Sequence, residues 1–563
     1  MQRLLNRRSV QATAGALAVG ASIAVGALSA APAVAKTHAT AANAQALTLE
    51  SAPVGQANGF NPFQSTSAAS VVGATSFIYE PLFQSNILKP GKYYPFLATS
   101  YKWMNKGKSI QFTIRNNVKW SDGQPFTAAD VAFTYNLIKS NPAINGGGLA
   151  IKSVTQSGDN VTLNFATPQY ANFQQIATTV YIVPQHIWQS AGDPSTYADT
   201  NPVGTGPYKV SSVGASGVVL TANTSYWGGP WNVGGGAPAV KTVQFPTLSS
   251  NTSALSALLT DQVDWAGNFI SGVKQAFKGK PLVFWSPPLN TNTLEPNLHR
   301  WPTNQLAVRQ AISLAIDRNA VATQGEQGLE PRAINASGLT LPVFNRFLSP
   351  MVKNMGLAAH GNAKAAEKVL KQAGYTKKGK WFALHGKIVK ISITDPSAFS
   401  DYAASDAIIA NDLKKAGIDA TFDGQATNTW FADIAQGNFQ LMLHWSQTSV
   451  APYQLYNDWL NSSLATKNNR AGNFEGLKNK MIDSQLTKLA ASSTVKDQLK
   501  YLGPIEQYVA QQLPVIPVDY GVSWGEYNTG TFTGWPTPTN EYETAQPSAP
   551  TNEVVVLHLK PGA

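Results

Sequence analysis

The chain has 563 residues, far more than one hydrophobic core accommodates, so two or three lobes are expected. Apolar residues make up 43% and charged residues only 13%, a folded composition with a low surface charge density. The absence of cysteine excludes disulfides, thiolate metal sites, a cysteine nucleophile and lipid attachment through a lipobox cysteine. The net charge is +11, but the lysines are scattered in sequence and their densest group, Lys377, Lys378 and Lys380, is short. The charge therefore reads as solvated surface, not as a nucleic-acid footprint.

Residues 1–35 read as a cleaved secretory signal peptide. Arg3, Arg7 and Arg8 form a basic start, Ala12 to Ala30 is apolar, and Ala33-Val34-Ala35 supplies small residues for cleavage after Ala35. Removing the three arginines lowers the net charge to +8. A retained membrane anchor is the alternative, and adjacent Arg7-Arg8 leave a twin-arginine route open beside the general one. Thr37 to Ala46 has the composition of a disordered lead-in.

Ala46 to Glu50 is a first strand, followed by a turn at Gly59-Phe60-Asn61-Pro62-Phe63, a helix over Val71 to Tyr79, and the phrase Tyr79-Glu80-Pro81-Leu82-Phe83. In Ser109 to Ile114, Ile110, Phe112 and Ile114 alternate with polar residues, as in a strand with one buried face. Ser121 to Pro125 is turn chemistry. Thr127 and Asp130 then resemble a capping box that opens a helix. Val161 to Phe165 is a further strand, and in Asn201-Pro-Val-Gly204-Thr-Gly206-Pro-Tyr208 the two glycines suggest a tight turn before a strand at Tyr208. Helices follow at Leu255 to Leu259, Val308 to Ile316, Ala363 to Tyr375 and Ala403 to Gly417. Strands follow at Val389 to Ile393, Phe439 to Trp445 and Leu513 to Val518.

The wording of these elements is more distinctive than their order. Phe112-Thr-Ile-Arg-Asn-Asn-Val-Lys-Trp120-Ser-Asp-Gly-Gln-Pro-Phe-Thr-Ala-Ala-Asp-Val-Ala-Phe-Thr-Tyr135, the "YEPLF" step, Ile182 to Trp188, Asn201 to Lys209, Tyr226-Trp227 and Val308 to Arg318 closely resemble the extracytoplasmic solute-binding proteins of family 5. These are the oligopeptide-, dipeptide- and nickel-type receptors of ABC importers. The resemblance runs in family order over nearly all of Ala46 to Pro561. It implies an α/β fold of the type II periplasmic-binding-protein kind, with two large lobes joined by a hinge plus a small inserted lobe. Lobe I would comprise residues 36–84 (disordered to about 46), 200–292 and 513–563. The inserted lobe II would comprise 85–199, and lobe III 293–512. Hinge strands would lie near Leu289–Thr293 and Pro514–Tyr520.

Little in the sequence suggests an enzyme. There is no His-Glu-x-x-His and no Gly-x-Ser-x-Gly. Gly107-Lys108-Ser109 ends like a phosphate loop but precedes a strand, so it reads as a turn. The seven histidines are dispersed without metal-ligand spacing. His444 reads as a hydrogen-bonded histidine, with a cleft-lining role as the alternative. Acid pairs for glycoside hydrolysis act across space, so a secreted hydrolase stays as an alternative of another class. No catalytic residue, metal or cofactor is expected.

The resemblance implies ligand-facing positions at Phe60, Trp265, Trp430, Trp445, Tyr453 and Trp535, with Asn61, Asn290, Asn292 and Gln447 as hydrogen-bonding partners. Core packing at the strand end is the alternative for Trp445. Peptide-type relatives often place an aspartate shortly after the strand tryptophan to hold the ligand's α-ammonium. Here no acid follows Trp445 until Asp458. That segment and Phe532 to Tyr542 are more similar to the oligosaccharide-binding branch, so the expectation leans to a neutral oligosaccharide, with an oligopeptide or dipeptide as the alternative. The expected partners are the solute and a membrane permease with its ATPase subunits, around a monomeric, extracytoplasmic receptor that binds no nucleic acid.

Overall fold

The structure, a computed structural model, describes residues 46–51, 59–145, 148–214, 216–228, 237–248, 251–466, 470 and 472–562. The expected signal peptide and most of the lead-in lie outside the described residues.

The strand Ser109–Ile114 buries Ile110, Phe112 and Ile114, as its alternation requires. It stands second in an antiparallel sheet ordered 98–104, 109–114, 160–165, 151–157. The helix Ala128–Ser140 starts at a reciprocal cap. The Thr127 hydroxyl accepts from the Ala129 N–H at 3.2 Å, and Asp130 Oδ2 accepts from the Thr127 N–H at 2.9 Å. Asp130 Oδ1 accepts from the Gln185 N–H at 3.0 Å, so one carboxylate caps the helix and fixes the segment Ile182 to Trp188 against it.

Two further sheets carry the large cores. One is ordered 47–48, 242–246, 217–222, 208–214. The other has five strands ordered 419–425, 390–396, 441–445, 292–296, 516–519, with parallel and antiparallel neighbours mixed. The helix Leu306–Ala315 presents buried Val308, Ile312 and Ala315 to the core of that five-stranded sheet, and Ala363–Gln372 packs beside it with Gly374 beyond its end at φ +86°. A short sheet of 265–266, 526–528 and 282–284 stands next to the segments that lead into the five-stranded sheet.

Those leading segments run side by side. Trp285 N–H donates to the Gly525 carbonyl at 2.9 Å, Ser523 N–H to the Pro287 carbonyl at 2.9 Å, and Leu289 N–H to the Gly521 carbonyl at 2.9 Å. A Cβ on Gly521 would come within 1.8 Å of Asn290 Oδ1, so the bare α-carbon of Gly521 makes room for the Asn290 side chain of the facing passage.

Two local expectations change. The helix expected over Val71 to Tyr79 is two single turns, Ala68–Val71 and Thr75–Ile78, because Gly73 takes a left-handed φ of +74° between them. Gly204 and Gly206 do not serve a left-handed turn. A Cβ on Gly204 would fall 1.8 Å from the Ile78 carbonyl oxygen, and one on Gly206 2.5 Å from that of Phe77, so these glycines admit a neighbouring backbone. The same contact holds Glu80 of the "YEPLF" step in place, where Tyr226 donates to Oε1 at 2.8 Å and Trp227 Nε1 to Oε2 at 2.7 Å. Motifs far apart in sequence thus meet in one buried joint. Gly204→Ala is expected to cost about 2–3 kcal/mol of stability through overpacking against a backbone that cannot yield, measured by chemical denaturation.

Candidate functional site

A cavity of about 770 Å³ opens between three parts of the chain. One wall comes from Asn145, Gly148 and residues 172–179 with Ser85 and Ile87, a second from Trp445 to Leu464, and a third from Glu543 to Thr551, with Leu289 of the first passage at its edge. Hydrogen bonds join the walls. Gln174 Oε1 accepts from the Ser449 hydroxyl at 3.0 Å and the Val450 N–H at 3.1 Å, Gln454 Nε2 donates to the Ala171 carbonyl at 3.1 Å, and the Tyr181 hydroxyl donates to the Pro550 carbonyl at 3.2 Å.

The lining is polar but nearly uncharged. It includes nine side-chain amides, the rings of Trp445 and Tyr453, and two carboxyl groups, Asp458 and Glu543. Among the described residues no lysine, arginine or histidine lines it. Trp445 ends the strand Leu441–Trp445, half-buried, and its inner face is backed by His444 (ring centroids 4.5 Å apart, 16° between planes). Trp430, Phe399 and Tyr402 pack around it. The ring is fixed on one side and borders the cavity on the other. The helix Pro452–Leu460 then brings Tyr453, Asn457 and Asp458 to the same wall on one face.

Of the ten residues expected at the site, Trp445, Gln447 and Tyr453 line this cavity. Six others are buried in packing or structural hydrogen bonds away from it. Phe60 is a core residue, and Asn61 donates to the Pro194 and Tyr197 carbonyls at 2.9 and 2.7 Å, which shapes its own loop. Trp265 and Trp535 meet edge to face at 5.4 Å, with their indole N–H groups bonded to the Ala545 and Phe532 carbonyls. Trp430 is fully buried and donates to the Thr394 carbonyl at 2.9 Å. Asn292 donates to Glu330 and Asp519 at 2.6 and 2.7 Å. Asn290, half-buried, sits against Gly521 at the paired passages.

His444 also departs from expectation. Its Nδ1 stands 3.5 Å from Glu295 Oε1 without a hydrogen bond, and its role is to back Trp445. Sequence reasoning missed Asn172, Gln174, Gln175 and the whole 543–551 wall. The cluster of amides in the short helix Phe173–Ala177 and the turn before it was the available signal. It also gave no sign that Glu326, Glu330 and Asp519 meet, with oxygens within 4.8 Å of one another. Burial pushes these three carboxyls up.

In the cavity wall, desolvation pushes Asp458 up to about 7, reinforced by Glu295 and opposed by His444 and a hydrogen bond with Gln447. Desolvation pushes Glu543 up to about 8.

Comparison with known proteins matches these features to one family. Residues 92–467 match bacterial extracellular solute-binding proteins, family 5. The chain belongs to that family. It is the solute-binding component of an ABC importer and not an enzyme. The crystal structure of a periplasmic oligopeptide-binding protein of an oligopeptide ABC transporter from Thermotoga maritima superposes with a TM-score of 0.85 at 25% identity, over 92% of this chain and 99% of that one. The mannohexaose-bound structure of that Thermotoga protein superposes at 0.81, with 25% identity over 93% and 99%. The nickel-binding periplasmic protein of Escherichia coli is 25% identical over 398 residues, 68% of this chain and 71% of its own.

The buried acids give this receptor a pH signature. Glu80 and Asp458 titrate near 7, Glu506 and Glu543 near 8, each raised first by desolvation from an ordinary value of 3.8 or 4.5. A carboxyl that holds its proton more tightly when folded contributes stability that is complete below the unfolded value and lost as pH rises through the folded one. The melting midpoint, read by scanning calorimetry, should therefore be higher near about pH 5 than near about pH 8. Asp458→Asn should reduce that difference.

Proposed function

We propose that this receptor captures a neutral oligosaccharide in the cavity between its three walls and delivers it to a membrane permease. The observation that carries the reading is the lining itself: nine amides and two aromatic rings, with no cation among the described residues. Amides and hydroxyls match the paired donors and acceptors of sugar hydroxyl groups, and a ring such as Trp445 offers an apolar face to a pyranose. The cavity volume of about 770 Å³ is that of a small-ligand site. The Thermotoga relative that holds mannohexaose supports the same choice.

Binding proceeds by closure without chemistry on the ligand. The walls move about the paired passages 285–290 and 521–525, next to the stretches Leu289–Thr293 and Pro514–Tyr520 expected to hold the hinge, and the solute selects the closed arrangement because only there do all three walls reach it. Export across the cytoplasmic membrane follows from the amino-terminal segment, and a separate ATPase drives the permease.

An oligopeptide is the second reading. Asp458 and Glu543 favour it, since an ionised carboxylate in the wall would hold an α-ammonium by a charge-assisted hydrogen bond. At neutral pH their raised values weaken that hold.

Thermal-shift titration with β- and α-linked oligosaccharides and with short peptides separates the two. Sugars should raise the midpoint and peptides should leave it unchanged. Stabilisation by peptides alone would overturn the sugar reading. Trp445→Ala should weaken the stabilising sugar by about 1–3 kcal/mol, while Trp265→Ala should lower stability without a selective loss of affinity.

A further inference from the structure

We infer that the outer face of the lobe built on the five-stranded sheet is a docking surface for an anionic lipid bilayer. Residues 363–415 contain ten lysines and no arginine, and all ten are exposed. Scattered in sequence, they are gathered by the fold. The small antiparallel sheet of 376–378, 381–384 and 387–388 lies beside the helix Ala363–Gln372, joined to it where Glu367 accepts from both Lys371 and Lys377. Gly417, just beyond the helix Ser400–Lys415, packs on Phe382 of the same sheet, which brings Lys414 and Lys415 to this face.

Acid does not balance this charge. Of the five acids in the stretch, Glu367 and Asp412 are paired with lysines, Asp395 and Asp406 are buried, and Asp401 is half-buried in the first turn of the helix Ser400–Lys415, at the end opposite Lys414 and Lys415. Lys378, Lys380 and Lys387 have no carboxylate partner among the described residues. Two half-buried indoles complete the face, with Lys380 Nζ 4.6 Å from the Trp381 ring and Lys387 Nζ 5.1 Å from the Trp301 ring.

Two features select a bilayer over a soluble polyanion. Lysine is a hydrated point charge suited to diffuse attraction, whereas defined phosphate contacts favour arginine forks. Tryptophan beside lysine is the composition that settles at the headgroup level of a membrane. None of these residues lines the solute cavity, so a docked receptor keeps its binding site, and the inference stands whichever solute that site takes. This face supplies a reversible hold near the permease.

Co-sedimentation of the full chain with vesicles tests this. Vesicles of equal parts phosphatidylcholine and phosphatidylglycerol should bind at least about tenfold more tightly than phosphatidylcholine alone at low ionic strength, and high salt should abolish the preference. The combined variant K378E/K380E/K387E should lose it with an unchanged melting midpoint. The charge-matched variant K102E/K106E/K108E, on exposed lysines elsewhere, should keep it. Equal binding to both vesicle types, equal loss in the two variants, or binding to dextran sulfate or double-stranded DNA without a vesicle preference would each overturn the inference.

Discussion

Everything in this receptor hangs on two passages of chain that run side by side, 285–290 and 521–525. Their backbone hydrogen bonds join them, and the bare α-carbon of Gly521 makes room for the Asn290 side chain. They connect the five-stranded sheet to the short sheet beside them, while the hydrophobic cores on each side are closed around their own strands. A pair of strands twists more readily than a packed core deforms. In the closure proposed above, the walls turn on this connection and the packed cores stay intact.

Electrostatics inside the molecule follow one pattern. Carboxyl groups are buried repeatedly, at Glu80, Glu543, Glu553 and the trio Glu326, Glu330 and Asp519, and desolvation raises each of them. The lysines stay outside, and those on the five-stranded lobe accumulate on one face. The cavity lies between these two regimes. It carries two acids with raised values and otherwise amides, hydroxyls and rings.

Much of the fold was legible because local rules and tertiary structure agreed. The alternation in Ser109–Ile114, the Thr127–Asp130 cap and the apolar stripe of Leu306–Ala315 each name an element and its buried face. The binding wall was less legible. A tryptophan near the cleft in sequence can point either way, and strand alternation or a turn decides which. Trp265 and Trp535 turned inward onto each other, and Trp430 turned under the sheet. Trp445 borders the cavity because its inner face was already filled by His444. The 543–551 wall was hidden for another reason. The distinctive phrase before it, Gly534-Trp535-Pro536, packs the core through Trp535 and Tyr527, and the residues that reach the cavity follow it. Motif strength marked the fold there, and the contact surface lay one step downstream.

The most direct test of a sugar-binding cavity is a crystal structure of the protein grown with mannohexaose. A pyranose ring against the open face of Trp445, with hydroxyl groups bonded to Gln447 and Asn457, is the result expected. Sugar bound elsewhere, or a cavity that stays empty of sugar while a co-purified peptide fills it with its ammonium on Asp458, would contradict the account.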